Sequence, residues 1–336
     1  MATIGALQTD VTVELSAQQT VITEGLGTPA IFMKSDKNKL TEFYDAQAVG
    51  AAYGTDKNVT QLAQLIFGQA NRPEHLDVIE YSDLSSALIE FGDDNWVFGL
   101  LDDVSVTDTV NEFISLGASM SKKMFVVQVD DVSKTGALGN LDNAIVYVHP
   151  FDKGRLDAAV VGAVANLQPG SVTWKFRQVS GIKPSGFSSD MLHKIAKANA
   201  NAYAPYPGGV YATTDGITLG HKYIDDLHAR LWVENEIVSE LQKLLLNNPK
   251  VTYDSVGIAA IGSAIQLTLE RAYQNKIIAT DEKTAQGAYR VTTTPRSKQS
   301  SSDIASRRYV GASFEYEQAG AIHSITVSGQ IVDALK

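Results

Sequence analysis

Apolar and polar positions along the chain change period several times, and each change marks an element. Residues 11–15, Val11-Thr-Val13-Glu-Leu15, alternate with period two, the pattern of a strand buried on one face. No hairpin partner follows before Gly25, so the pattern predicts pairing with a distant segment or another chain. A short apolar strand is expected over 26–33, and a helix over 59–67 with apolar residues at 59, 62, 65 and 66. Strands are then predicted at 76–79, 96–101, 124–129, 144–148 and 172–179, interleaved with helices near 83–91, 108–119 and 155–167. Short apolar strands alternating with helices predict an α/β domain with a largely buried sheet over residues 26–185.

The texture changes after residue 186. Ser188-Ser-Asp190 offers a helix cap, predicting a helix to about 204. Tyr206-Pro-Gly-Gly209 and Thr213-Thr-Asp215-Gly216 read as turns. A long helix is expected from 224 to 246, its 3-4 apolar spacing broken at Glu234 and its end set by Asn247-Asn248-Pro249. A second helix is expected over 255–277. Residues 283–302 are Ser/Thr-rich and read as a loop. Strand patterns return at 312–316 and 322–327, the latter running on to Ile331 and Val332. Ile325 and Val327 share one face of this last run, which is either an edge strand within the subunit or half of a linkage to another.

The 336 residues suit two domains, and the absence of cysteine removes disulfides and thiolate metal sites. No apolar run reaches a membrane span, and residues 1–10 lack the basic start of a signal peptide. The net charge of −10 is uneven. Residues 1–100 hold 14 acidic and 5 basic side chains, whereas residues 283–310 hold six basic ones against Asp303 alone. An acidic chain argues against nucleic acid as a partner. The basic segment suits an acidic protein surface instead, with a solvated loop as the plain alternative.

Candidate chemistry is sparse. No Walker A, Rossmann or nucleophile-elbow pattern occurs, and Ser185 lies in a loop rather than on an elbow. The six histidines form no metal-ligand spacing and read as surface or packing residues. Asp225-Asp226 reads as the charged first turn of a helix. Tyr203, Tyr206 and Tyr211 could suggest a carbohydrate platform, but ring packing is the simpler reading. No cofactor, metal or catalytic residue is expected.

Several segments together resemble the tail sheath family of contractile phages and phage-tail-like particles. They are the 11–15 strand, Ala51-Ala-Tyr53-Gly54 with Gln64-Leu-Ile-Phe67-Gly-Gln69, and Thr213-Thr-Asp215-Gly216-Ile217 with Tyr223-Ile-Asp225. Tyr253-Asp254-Ser-Val-Gly257 follows, then Asp303-Ile-Ala-Ser-Arg307-Arg308-Tyr309 and Ala319-Gly-Ala-Ile-His323-Ser-Ile325-Thr-Val327, the last two being the most specific. The resemblance implies a tail-sheath-like fold, α/β plus α+β, with strand-exchanging arms. The expected layout is an N-terminal arm at 1–25, an α/β domain at 26–185, a helical/β domain at 186–320 and a C-terminal arm at 321–336. It implies a non-enzymatic subunit that polymerises, in stacked six-fold rings, around an inner tail tube and contracts to drive it through an envelope. Baseplate and tail terminator proteins are the further partners implied. Assembly is expected in a bacterial cytoplasm, for a virion tail or a released tail-like particle. Inter-subunit strand residues would be Val11, Val13, Leu15, Ile325, Val327 and Ile331, and tube-facing ones Asp303, Arg307 and Arg308. A tube or capsid-like component, or an α/β enzyme with a pocket at its strand ends, are the competing readings.

Overall fold

A computed structural model describes residues 26–328. Its centre is a six-stranded sheet in the order β2-β3-β1-β4-β5-β6. The strands are β1 (Pro29–Lys34), β2 (Lys39–Phe43), β3 (Leu76–Tyr81), β4 (Phe98–Leu101), β5 (Met124–Val129) and β6 (Ala144–Val148). All neighbours run parallel except β2, which lies antiparallel on β3 with Glu42 opposite Asp77. Parallel strands need crossovers, and the helical patterns between them supply these. The helices are α1 (Ala46–Tyr53), α2 (Asn58–Phe67), α3 (Leu84–Phe91), α4 (Thr107–Gly117) and α5 (Leu156–Val164).

Alternation along the strands feeds two cores. Ile31, Val78, Phe98, Leu100, Val126 and Ile145 meet α1, α2 and α5 on one face. Phe32, Ile79, Leu101, Phe125 and Val146 meet α3 and α4 on the other. Helices α2 and α5 approach so closely that a Cβ at Gly162 would lie 2.6 Å from the Ile66 backbone. Asp45 and Asp83 cap α1 and α3 by accepting from the amides of Ala48 and Ser86, at 2.7 and 2.8 Å.

The second half begins with α6 (Ser189–Lys197), capped by Ser188, and the hairpin β7 (Tyr203–Tyr206) and β8 (Val210–Thr213). The Pro-Gly-Gly turn sits at the hairpin tip, with Gly208 and Gly209 both at positive φ. Residues 199–220 close the β6 edge: Val148 donates to the Asn201 carbonyl and Leu219 to that of Ala144, both at 2.8 Å. Then come the antiparallel helices α7 (Ile224–Asn247) and α8 (Ser255–Gln274), the latter capped by Asp254. Strands β9 (Tyr289–Thr293) and β10 (Ala312–Tyr316) form a hairpin on α8, with α9 (Ser301–Ala305) in the loop between them. Ala229, Val233, Ile237, Ile265 and Leu269 form the third core, against which Tyr289, Val291, Phe314 and Tyr316 pack.

Several expectations are corrected. Residues 172–179 form no strand; Phe176 turns at φ 64° and Trp174 is buried against Phe98, ring centroids 5.1 Å apart. Residues 283–302 are not all loop, because they hold β9 and part of α9. The helix expected to reach 204 stops at Lys197, where Asn199 takes a left-handed turn. Strand β2 and helix α1 are additions to the elements predicted from the pattern. Residues 322–327 carry no strand within this chain. Glu234 does not interrupt α7; it is buried and pairs with Lys122 at 2.8 Å, fixing the helix to the α4–β5 turn.

Candidate functional site

The α/β order invites a test for a ligand site. In doubly wound sheets the crevice lies at the carboxyl ends of the strands where the order reverses, here beside β1 and β4. The Arg155 guanidinium fills the end of β4. It donates to the carbonyls of Leu101 and Asp102 at 2.7 and 2.9 Å and pairs with the buried Asp157 at 2.7 Å. Among the described residues no group of three or more His, Asp or Glu side chains is placed to hold a metal ion. No described helix is long and apolar enough to cross a membrane.

Singled-out residues take structural places. His228 is buried; its Nε2 lies 2.5 Å from the Leu26 carbonyl and its ring stands edge-on to Phe98 at 5.2 Å. Burial pulls its pKa down to about 4. Asp225 and Asp226 occupy the first turn of α7, and desolvation followed by the Asp226 charge pushes Asp225 up to about 6. Ser185 donates to the Tyr203 carbonyl at 3.0 Å. Tyr203 and Tyr211 pack together at 6.0 Å, and Tyr206 packs on Phe176 at 5.5 Å.

Three exposed surfaces stand out. The first is the β9–β10 sheet, two-stranded among the described residues. Such a pair is marginal alone and open to strand addition at its edges. Its inner face rests on α8, and Arg290 and Glu315 stand opposite each other on the outer face, paired at 2.5 Å.

The second is the basic loop. Ser300 caps α9, its Oγ accepting from the Asp303 amide at 3.0 Å and donating to the Asp303 carboxylate at 2.5 Å. Arg308 forks onto that carboxylate through Nε and Nη2 at 3.1 and 2.8 Å. The hydroxyl bond first, then Arg308, holds the Asp303 pKa below the usual carboxylate range. Arg296 donates to the Tyr253 carbonyl at 2.7 Å and lies 5.4 Å from that ring. The structure thus joins Asp303 to Arg308. Arg307 stands apart at φ 56°, exposed and with no ion-pair partner among the described residues.

The third is the segment after β10. Ile322, Ile325 and Val327 are 79, 81 and 84% exposed, far above the usual for such side chains. Val11, Val13, Leu15 and Ile331 lie outside the described residues. Sequence reasoning missed His323 as a distinct point of this segment. Its Nε2 lies 2.9 Å from Thr173 Oγ1, and its ring is edge-on to Tyr223 at 4.9 Å. No local pattern marks it, since its partners lie far away in sequence.

No family model and no curated protein sequence matches the chain. Solved structures do. A chain of the sheath complex of an extracellular contractile injection system, PVC, in its contracted state aligns at TM-score 0.70 and 12% identity, over 98% of both chains. The helical sheath of the anti-feeding prophage, contracted, aligns at 0.65 and 13% identity over 99% of this chain and 100% of that one. The sheath tail protein Lin1278 of Listeria innocua aligns at 0.59 and 9% identity over 90 and 97%. The mixed α/β fold described above is therefore the fold of contractile-system sheath proteins, carried along nearly the whole chain.

Proposed function

We propose that this protein is a structural subunit of a contractile sheath, polymerising as a helical tube around an inner tail tube. The observation that carries the reading is the two-way coverage: the alignment spans 98% of this chain and 98% of a sheath chain, so the likeness takes in both chains rather than one shared piece. Two local features support it. The β9–β10 pair offers edges for added strands, and Ile325 and Val327 are exposed in a strand-like alternation with no sheet of the described residues beneath them. In this reading segments 11–15 and 325–331 join neighbouring copies in stacked, six-fold rings. Arg307 and Arg308 face the tube through weak, repeated contacts, each worth about 0–1 kcal/mol. Baseplate and terminator proteins would bound the polymer at its ends.

Energy for contraction would reside in the lattice rather than in bound nucleotide. Dense cores resist continuous deformation, so subunits would move as nearly rigid bodies with their strand links kept. The test is electron microscopy of the purified protein. Long hollow tubes are expected, and deletion of residues 1–17 should abolish them while leaving a folded monomer. A protein that stays monomeric at every concentration and salt tried, or tubes that survive the deletion unchanged, would refute the assembly scheme.

A further inference from the structure

The start of the last described segment is held by its backbone and one side chain. Glu317 and Ala319 donate their amides to the carbonyls of Ala288 and Ile277, both at 2.9 Å, and the Gln318 side-chain amide donates to the Asp226 carbonyl at 3.3 Å. Gly320 then turns at φ 60°, and a Cβ there would meet nothing within 4 Å. From 317 to 328 every residue is exposed except His323.

The receiving notch for His323 is preformed by backbone in an unusual state. Phe176 is bulky yet left-handed, a conformation that persists only where surroundings enforce it. Thr213 does so: its carbonyl accepts from the Phe176 amide and its hydroxyl oxygen from the Arg177 amide, both at 2.9 Å. The result is a half-exposed ring beside Tyr206, standing edge-on to His323 at 6.2 Å. Tyr223 closes the other side and Thr173 supplies the hydrogen bond. Lys175 and Asp215 are the charged groups facing the imidazole, with opposite influence on it.

We propose that His323 clips this segment to its own body, and that opening the clip lengthens the segment's free tether by residues 320–323 while β10 stays in place. At roughly 3.3 Å per extended residue the reserve is about 13 Å. The use of that reserve rests on the reading above, in which the residues beyond His323 join a neighbouring copy. Subunits that rearrange without releasing their links need slack in the link, and a clip with a glycine hinge behind it provides two lengths.

The chain has no cysteine, so one label site can be introduced cleanly. A nitroxide at Ser324→Cys in the dilute, unassembled full chain should be restrained. Adding His323→Ala, or separately Thr173→Val, should speed its motion several-fold. A nitroxide at Ser313→Cys on β10 should not respond to either change. Equal motion at 324 with and without His323 would overturn the clip. Loosening at 313 as well would overturn it too, since His323 would then be part of the sheet's own stability. In assembled tubes, His323→Ala should change the ratio of extended to contracted forms, and an unchanged ratio would refute the reserve. If deletion of residues 324–336 leaves polymerisation intact, the joint between copies is wrong, while the label result on the clip stands by itself.

Discussion

Asp77→Asn removes a charge that the fold holds at a disadvantage. The Asp77 side chain sits on β3 opposite Glu42, in a residue only 4% exposed, and its Oδ1 has no hydrogen-bond partner. Desolvation, then the charges of Glu42 and Asp94, push its pKa from 3.8 up to about 7. Lys123 opposes this from nearby. Its ammonium is buried, donates to the carbonyls of Asp94 and Trp96, and stands 4.5 Å from the Trp96 ring centroid. Burial draws Lys123 down to about 7.

The sign follows from proton counting. Between pH 3.8 and about 7 the folded state holds the Asp77 proton more tightly than the unfolded chain does. This stabilisation is complete below pH 3.8 and is lost as pH rises through about 7. At about 1.4 kcal/mol per pKa unit the full span is about 4 kcal/mol. Attraction to Lys123 returns part of it, and an amide needs its own hydrogen bonds, so a net gain of about 1–3 kcal/mol is expected for Asp77→Asn at pH 8. Near pH 4 parent and variant should differ little, because both are neutral there. Urea unfolding of the unassembled chain at pH 4, 6 and 8 measures the difference. A variant less stable than the parent at pH 8, or a difference that ignores pH, would mean that Asp77 and Lys123 form a favourable buried ion pair, and the reasoning would fail.

Lys122→Ala should cost about 3–5 kcal/mol in the same unfolding assay, because it strands the buried Glu234 of α7, whereas Lys122→Met with Glu234→Leu should recover much of the loss. Gly162→Val should destabilise by about 1–3 kcal/mol or more, since its side chain would drive into the Ile66 backbone; a neutral result would mean that α2 and α5 can separate freely. Arg307→Glu with Arg308→Glu should weaken assembly on the tube while moving stability by less than about 1 kcal/mol, because the Arg308–Asp303 pair is exposed; equal loss of tube-free polymer would place these arginines between sheath subunits. Val327→Pro removes a backbone donor from an exposed segment, so the monomer should keep its melting temperature while sheath assembly falls, and unchanged assembly would rule out pairing there.

Legibility in the sequence followed how each segment is buried. Strands β5 and β6 are covered on both faces, so each reads as an apolar run, broken in β5 only by the buried Gln128, and the ends of both are legible. Helix α7 was legible from its 3-4 spacing and its Asn-Asn-Pro stop, although Glu234 looked like an interruption until its partner Lys122 was seen. Strand β2 has one side pairing with β3 and mixed Lys, Thr and Glu side chains, so no period stands out. Residues 172–179 failed in the opposite sense. Val172, Trp174 and Phe176 satisfy period two, yet Trp174 enters the core while Phe176 is turned outward by a positive φ that no neighbouring glycine or asparagine announces. At the candidate site, the basic character of 283–310 was visible as charge, but the engagement of Asp303 by Ser300 and Arg308 was not.

The segment after β10 separates two kinds of pattern. The apolar positions of β1 and β3 are buried on both faces by the same chain. After β10, by contrast, Ile325 and Val327 keep period two while their side chains stand about four-fifths exposed. An apolar face of this kind gains about 25 cal/mol for each Å² it removes from water, and nothing in the described chain collects that gain. A second copy, bringing the open edge of its β9–β10 sheet, would supply both the missing apolar cover and the backbone hydrogen bonds in one step. Intrachain burial thus accounts for the body of the protein, and the exposed apolar positions after β10 are what motivates the proposed joint between bodies. His323 is then the point where one regime passes into the other: among the described residues it is the last side chain that is not exposed, held by Thr173 before five exposed residues.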